Sequence, residues 1–211
     1  MARLKGGILG AFQGKIGPVV ASKRGDTVYI KSRPKTVRHP NTKKQLAAKN
    51  SFGVAASLGS LLLPFVKHSI ITDKGKTAYN ACVSYNKTSA VAETGNGFEV
   101  DYEKLVLSKG ELEGLRDAKA ERAGAGAIRF SWTDNSGVTG ALGDDRVLLL
   151  AIAPEHNEIF YRINGANRMD ETALLPVPED LADEPLYVYV SVQTADRTDA
   201  SPSEYIGCLN C

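Results

Sequence analysis

The C-terminal half of the chain is dominated by short β-prone runs, in several of which apolar and polar residues alternate. Seven such runs follow one another, separated by Gly, Asn, Asp and Pro: 98–102, 104–108, 127–132, 146–153, 158–163, 172–176 and 186–193. Because side chains of a β-strand alternate between the two faces of a sheet, this period predicts half-buried strands. Strands at these intervals predict an antiparallel β-sandwich, with Trp132 between its sheets and residues 113–126 as a loop.

The first 95 residues follow a different pattern. Two β-prone runs, 18–22 and 27–32, flank a charged turn that contains glycine, which predicts a hairpin. A capping-box match at Thr42 and a broad apolar face predict a helix over about 42–60, and a second helix is expected over about 74–87. The predicted fold class is therefore α+β. A basic hairpin arm and two helices occupy residues 1–95, and an immunoglobulin-like or fibronectin-III-like sandwich occupies residues 96–211.

Charge is distributed unevenly along the chain. Residues 1–50 contain twelve Lys and Arg and one acid, a net charge of +11, whereas the remainder has 14 basic and 23 acidic residues, a net charge of −9. This asymmetry predicts an electrostatic partner: nucleic acid, an anionic surface or the acidic part of a second copy. The predicted contact residues are Lys15, Lys23, Arg24, Lys31, Arg33, Lys35, Arg38, Lys43 and Lys44. An edge strand that charge protects against aggregation explains them equally well.

The sequence predicts no catalytic residues, no metal site and no cofactor. The glycines near Lys15 do not match a phosphate-binding loop, and the three histidines are widely spaced. Cys82 falls in a predicted buried helix, so it is a poor candidate for a nucleophile. Cys208 and Cys211 supply two ligands where structural zinc needs four, and we interpret them as a tail pair that can form a disulfide. The chain is therefore predicted not to be an enzyme.

Neither a secretory signal nor a membrane-spanning segment is predicted. The longest apolar run, 58–66, is interrupted by glycine, serine and proline and is too short to cross a bilayer. The first ten residues carry positive charges but lack a continuous apolar region and a cleavage pattern. The expected location is the cytoplasm or the interior of an assembled particle.

Seven motifs are spread along the chain: Gly14-Lys-Ile-Gly-Pro-Val-Val, Tyr29-Ile-Lys-Ser-Arg-Pro, Asn41-Thr-Lys-Lys-Gln-Leu, Asp101-Tyr, Leu107-Ser-Lys-Gly-Glu-Leu, Phe130-Ser-Trp and Ser201-Pro-Ser-Glu-Tyr. Together they resemble an uncharacterised family of Bacteroidota proteins of about 200 residues, a resemblance that covers nearly the whole chain and implies no activity. Through Phe130-Ser-Trp, the tyrosine-rich run 186–192 and the last motif, the C-terminal half also resembles fibronectin type III modules. That second resemblance implies a fold and no function.

These observations favour one function and leave an alternative. The preferred hypothesis is a non-enzymatic structural subunit of a self-assembling particle or filament, virion-like or appendage-like. Its arm would add a strand to a neighbour while the acidic body accepts positive charge. The alternative is a sequence-nonspecific nucleic-acid-binding protein that uses the same arm. A surface or carbohydrate-binding module would use only the sandwich and ranks third. Expected partners are further copies of the chain in a homo-oligomer or larger assembly, and nucleic acid.

Overall fold

The chain forms two compact units, Met1–Thr42 and Lys43–Cys211. The computed structural model describes residues 3–4, 12–24, 27–33, 42–72, 75–95, 97–124, 126–138 and 140–211. The division between the units differs from the predicted boundary at residues 95 and 96. The reason is that both helices contribute to a hydrophobic core of the second unit.

The first unit is a four-stranded antiparallel sheet in the order β1-β2-β3-β4. The strands are β1 (Arg3–Leu4), β2 (Phe12–Ile16), β3 (Val19–Arg24) and β4 (Thr27–Ser32). Strands β3 and β4 pair antiparallel without a register shift, from Val19 opposite Ser32 to Arg24 opposite Thr27. This pairing confirms the predicted hairpin, whose turn residues lie outside the described part of the chain. Gly17, between β2 and β3, has φ +54°, a conformation that glycine adopts without strain.

The second unit begins with two helices, α1 (Lys43–Ser69) and α2 (Ala78–Ser89). Helix α1 extends nine residues beyond its predicted end and contains Pro64. The helix continues past this proline because buried apolar residues recur every three or four positions on both sides of it, at Leu62, Phe65 and Val66. Burial of this face offsets the hydrogen bond that a proline inside a helix removes.

The helices approach each other closely at Gly59. A Cβ atom built at this glycine would lie 2.6 Å from Cγ2 of Val83 in α2. Such a distance is far below van der Waals contact, so only glycine permits this packing. Thr77 is the N-cap of helix α2, because its side chain accepts a hydrogen bond from the backbone N–H of Asn80.

Three antiparallel sheets follow the helices. Their strands are β5 (Val91–Thr94), β6 (Gly97–Val100), β7 (Arg116–Arg122), β8 (Ala127–Thr133), β9 (Arg146–Ala153), β10 (Glu158–Arg162), β11 (Thr172–Pro176), β12 (Leu186–Gln193) and β13 (Glu204–Leu209). One sheet has the order β10-β9-β12-β13, another has the order β11-β8-β7, and β5 pairs with β6. The chain is thus of mixed α+β class, as predicted.

Two local predictions were wrong. Seven of the fourteen residues of the predicted loop 113–126 form strand β7, whose mixture of alanine and charged residues gives no clear strand pattern. The predicted strand 104–108 is absent among the described residues, because side chains rather than a neighbouring strand hold its backbone. The N–H of Val106 donates to Oδ1 of Asn86 at 2.8 Å, and the N–H of Leu107 donates to Oγ of Ser203 at 2.9 Å.

Strand β9 is buried on both faces and separates two hydrophobic clusters. Its odd-numbered residues, such as Leu149, join Trp132 and residues of the β11-β8-β7 sheet in one cluster. Its even-numbered residues, such as Leu150, join α1, α2 and Tyr189 of β12 in the other. Because both faces are covered, seven residues of this strand are apolar in succession, without the alternation that a half-buried strand shows.

A buried ion pair lies beside the first of these clusters. Arg168 is fully buried, and its Nη2 lies 3.1 Å from Oδ2 of Asp145. Its Nε–H also donates to Oδ2 of Asp145, and the other three N–H groups donate to Oδ1 of Asn135 and to the carbonyl oxygens of Glu113 and Gly114, so that all five guanidinium donors are used. The indole N–H of Trp132 donates to the carbonyl of Arg168 at 2.7 Å. The side chain of Arg168, in the connection between β10 and β11, thus bonds to the segment before β7 and to the connection between β8 and β9.

By length and composition alone, helix α1 is long and apolar enough to cross a membrane, and 22% of its most apolar stretch is buried. Core helices of water-soluble proteins meet the same two criteria. The finding is therefore weak evidence, and the absence of a membrane span stays a prediction.

Candidate interaction surface

One face of the first unit's sheet is basic. Lys15 lies opposite Val20, and Val20 lies opposite Lys31, so the two lysines share a face with one strand between them. Arg33 follows Lys31 by two residues and lies on the same face. Strand geometry separates the backbones of the two lysines by about 10 Å, and those of Lys31 and Arg33 by about 7 Å. All three side chains are exposed, so this face presents three cations at short intervals.

The opposite face of the same sheet is apolar. Ile16 lies opposite Val19, and Ala21 lies opposite Ile30, while Val28 shares the face because it is two residues from Ile30. Ala21 is 2% exposed, but Ile16 is 47% and Ile30 is 65% exposed. Among the described residues of the first unit only Ala21 is buried. The apolar face is therefore open to solvent at Ile16 and Ile30, while Ala21 is covered.

Among the remaining predicted contact residues, Lys23, Lys43 and Lys44 do not join the basic face. Lys23 is on the apolar side, opposite Val28. The backbone of Arg24, the last residue of β3, pairs with Thr27 at a basic-face position of the register. Lys35 and Arg38 lie outside the described residues. Lys43 and Lys44 are exposed in the first turn of α1 and belong to the second unit. Of the nine predicted residues, the structure brings Lys15, Lys31 and Arg33 together on one face.

The division into units sharpens the charge asymmetry. The first unit has nine Lys and Arg and one acid, a net charge of +8, whereas the second has 17 basic and 23 acidic residues, a net charge of −6. Each unit is thus strongly charged, with the opposite sign to the other. Two copies of the chain consequently carry complementary surfaces.

Two segments of the second unit carry six acidic residues: Glu155, Glu158, Glu179, Asp180, Asp183 and Glu184. The two segments that contain them are adjacent, because Nε2 of His156 lies 4.0 Å from Oε1 of Glu184. The nearby Arg122 donates to the carbonyl oxygens of Leu181 and Glu184, and burial lowers its pKa. We call these six acids and their two turns the acidic end.

The second unit offers little reactive chemistry in its described part. Cys82 is fully buried, and burial raises the pKa of its thiol to about 11, so the thiolate is not the form present at neutral pH. Cys208 and Cys211 are paired as a disulfide. The residues described include no group of three or more His, Cys, Asp and Glu side chains that could hold a metal ion.

A groove of about 580 Å³ runs beside α2. Hydroxyl groups of Ser84, Thr88 and Ser203 line it, and Nζ of Lys109 lies 4.9 Å from the centre of the Tyr85 ring. Hydroxyl side chains and one lysine provide hydrogen-bonding groups but no nucleophile paired with a base. The groove therefore has no arrangement that indicates catalysis.

Sequence reasoning missed the apolar component of the surface. The predicted contact residues were all cations, whereas β4 also carries two exposed large apolar side chains, Tyr29 at 53% and Ile30 at 65%. Both residues belong to the motif Tyr29-Ile-Lys-Ser-Arg-Pro, which supports a family resemblance and predicts no role for them. Adjacent apolar residues on a strand that also carries Lys31 could have indicated an unusual edge strand.

The fold and this surface together define a mixed α+β protein that presents a basic sheet with an open apolar face. The chain belongs to a family of unknown function, DUF6266, whose family model matches residues 11–207. The matched region begins just before β2 and ends within β13, so it includes strands β2 to β4 of the basic sheet, both helices and nearly all of the strands of the second unit. No curated protein matches the chain.

Proposed function

We propose that this protein is a non-enzymatic structural subunit of a self-assembling particle or filament, either virion-like or appendage-like. The observation that carries the proposal is the open apolar face of the first unit. A sheet becomes stable when its hydrophobic face packs against another element. Ile16 and Ile30 remain 47% and 65% exposed, and a neighbouring copy would supply the missing cover.

Opposite charges on the two units support this function. The basic first unit of one copy is complementary to the acidic end of another, which would steer the copies together head to tail. A head-to-tail contact uses two different surfaces and leaves one of each free. It therefore continues to grow into a ring or a filament rather than stopping at a dimer.

The strand order also supports an immunoglobulin-like or fibronectin-III-like sandwich in the second unit. If β7 to β13 are labelled A, B, C, C′, E, F and G, the sheets are A-B-E and C′-C-F-G. Immunoglobulin constant domains have A-B-E-D and C-F-G, so the arrangement differs by moving one edge strand to the other sheet. Residues from both sheets meet in one hydrophobic cluster. The Bacteroidota origin and the cytoplasmic or particle-interior location remain predictions from the sequence.

The proposal is tested by the native mass of the purified full chain. Light scattering at low and high salt, with and without nuclease, is followed by negative-stain microscopy. Large regular particles that survive nuclease treatment are expected. A protein that remains monomeric under all four conditions would contradict the proposal.

The alternative function, sequence-nonspecific nucleic-acid binding, is favoured by Lys15, Lys31 and Arg33 on one face. If each neutralises one phosphate, replacing all three by glutamate will reduce the slope of log K against log salt by about 3. Fluorescence anisotropy with an arbitrary duplex measures this slope. The matched control replaces three exposed lysines of the second unit by glutamate: Lys67, Lys76 and Lys87. Equal slopes in the two triple variants would exclude the basic face as the binding site.

A further inference from the structure

Among the described strands, β4 is at an edge of the first unit's sheet. It pairs with β3 on one side and is last in the strand order. Tyr29 and Ile30 are adjacent, so they point to opposite faces, and both are more than half exposed. An edge strand with exposed apolar side chains on both faces is a template for the addition of another strand.

The hydrogen-bonding direction of β4 follows from the contact at its end. The N–H of Arg33 donates to the carbonyl of Pro18 at 2.6 Å, toward β3. In an antiparallel ladder the N–H and C=O groups of one residue point to the same side, and those of the next residue point to the other. The backbone groups of Tyr29 and Lys31 therefore also point toward β3. Those of Val28, Ile30 and Ser32 point outward.

Only some registers let the outward groups of two copies meet. If Tyr29 lies opposite Tyr29 of the second copy, Ile30 lies opposite Val28 of that copy, and outward donors face outward acceptors. Apolar pairs then form on both faces of the joined sheet. The two Lys31 residues lie about 14 Å apart, which exceeds the Debye length of about 8 Å at physiological salt.

Shifting the register so that Ile30 lies opposite its own copy is less favourable. Tyr29 then lies opposite Lys31 of the second copy, and the two Lys31 residues lie only about 8 Å apart. Like charges at that distance repel each other with little screening. The register centred on Tyr29 therefore combines apolar pairing with charge separation.

We propose that two copies of this chain join through antiparallel pairing of β4, with the two-fold axis beside Tyr29. The joined element is an eight-stranded sheet whose apolar faces are continuous. This contact rests on the proposed self-assembly and names its first interface. Because each first unit carries a net charge of +8, pairing strengthens as salt increases, the opposite of the salt dependence of nucleic-acid binding.

Disulfide trapping tests both the contact and its register. Single cysteines replace Tyr29, Ile30 or Ile16 in the full chain, with Cys208→Ser and Cys211→Ser to remove the terminal pair. Opposite residues that are not hydrogen-bonded to each other have Cα atoms about 4.5 Å apart, within disulfide range, whereas Ile30 and its copy are about 8 Å apart in this register. Under mild oxidation Tyr29→Cys is expected to form dimers at least tenfold faster than Ile30→Cys or Ile16→Cys. Equal rates, or dimers only after nucleic acid is added, would overturn the proposal.

A second variant guards against an effect of the cysteine itself. Ile30→Lys adds a charge on the paired edge and is expected to shift the native mass to that of the unpaired species. Asn80→Lys adds the same charge at an exposed position of α2, in the second unit, and is expected to leave the mass unchanged. If the protein forms large particles but Tyr29→Cys is not trapped as a dimer, the proposed function stands and this contact is refuted. Trapped dimers that never grow would support the contact and refute the proposed function.

Discussion

Asp145→Asn tests the buried ion pair of the second unit. The substitution keeps the shape of the side chain and an oxygen that can accept from Arg168, but it removes the negative charge. Arg168 is fully buried, and its only carboxylate partner among the described residues is Asp145. The charge of the guanidinium is therefore left uncompensated in a medium of low polarity.

The expected loss follows from this burial. Removing one partner of a buried pair costs about 3–5 kcal/mol of unfolding free energy, which for a unit of this size lowers Tm by roughly 6–20 °C. Trp132 is the single tryptophan of the chain, and its indole donates to the carbonyl of Arg168. Its fluorescence during urea unfolding therefore reports directly on this network.

The matched control is Glu121→Gln. Glu121 forms an ion pair with Arg129 at 3.2 Å, but both side chains are more than half exposed. Solvent screening limits the contribution of such a pair to less than about 1 kcal/mol. If Asp145→Asn unfolds within 1 kcal/mol of the wild type, the network does not depend on charge compensation, and the reasoning from burial is refuted.

Three further predictions concern packing, reactivity and pH. Gly59→Ala will destabilise the chain by about 1–3 kcal/mol in urea unfolding, because its methyl group would clash with Val83. The control, Gly53→Ala on the same helix, has no atom within 4 Å of the new methyl group and will stabilise the chain by about 0.5–1 kcal/mol. A Gly59→Ala variant as stable as the wild type would contradict the close approach of the two helices. Cys82 will react with a thiol reagent at pH 8 only after unfolding, measured by absorbance; rapid labelling of the native protein would refute its burial. Because the pKa of Cys82 is raised to about 11 in the folded state, the unfolded thiol ionises first, and stability will fall between about pH 9 and 11. The Cys82→Ala variant will lack this part of the decline, and identical pH profiles for the two proteins would refute the assignment.

The periodicity of the sequence predicted most strands, but it could not predict which of them were covered on both faces. Strand β9 shows the difference. Its continuous apolar run predicted a strand, yet only the structure assigns alternate residues to two separate clusters, because helix packing on the second face depends on distant parts of the chain. Strand β7 was missed for the converse reason: its core-facing residues are alanines between charges, which leave a weak periodic signal.

The candidate surface was predictable in its charge but not in its geometry. Counting lysines and arginines identified the basic segment, because net charge depends on composition alone. Which cations share a face depends on strand register, and register places Lys15, Lys31 and Arg33 together while Lys23 lies on the other side. The direction of the backbone groups of β4 that point away from β3 follows from one hydrogen bond, from Arg33 to Pro18, which no sequence pattern indicates.

The two proposed contacts differ in symmetry, and that difference determines what they could build. Pairing through β4 is isologous, so it closes at two copies. A contact between the basic face and the acidic end of another copy is heterologous and leaves a free surface at each end. Used together, they would extend a dimer into a filament or a shell. Their opposite salt dependence separates them: raising salt weakens the heterologous contact and strengthens the β4 contact, so high salt is expected to reduce assemblies to β4-linked dimers rather than to monomers.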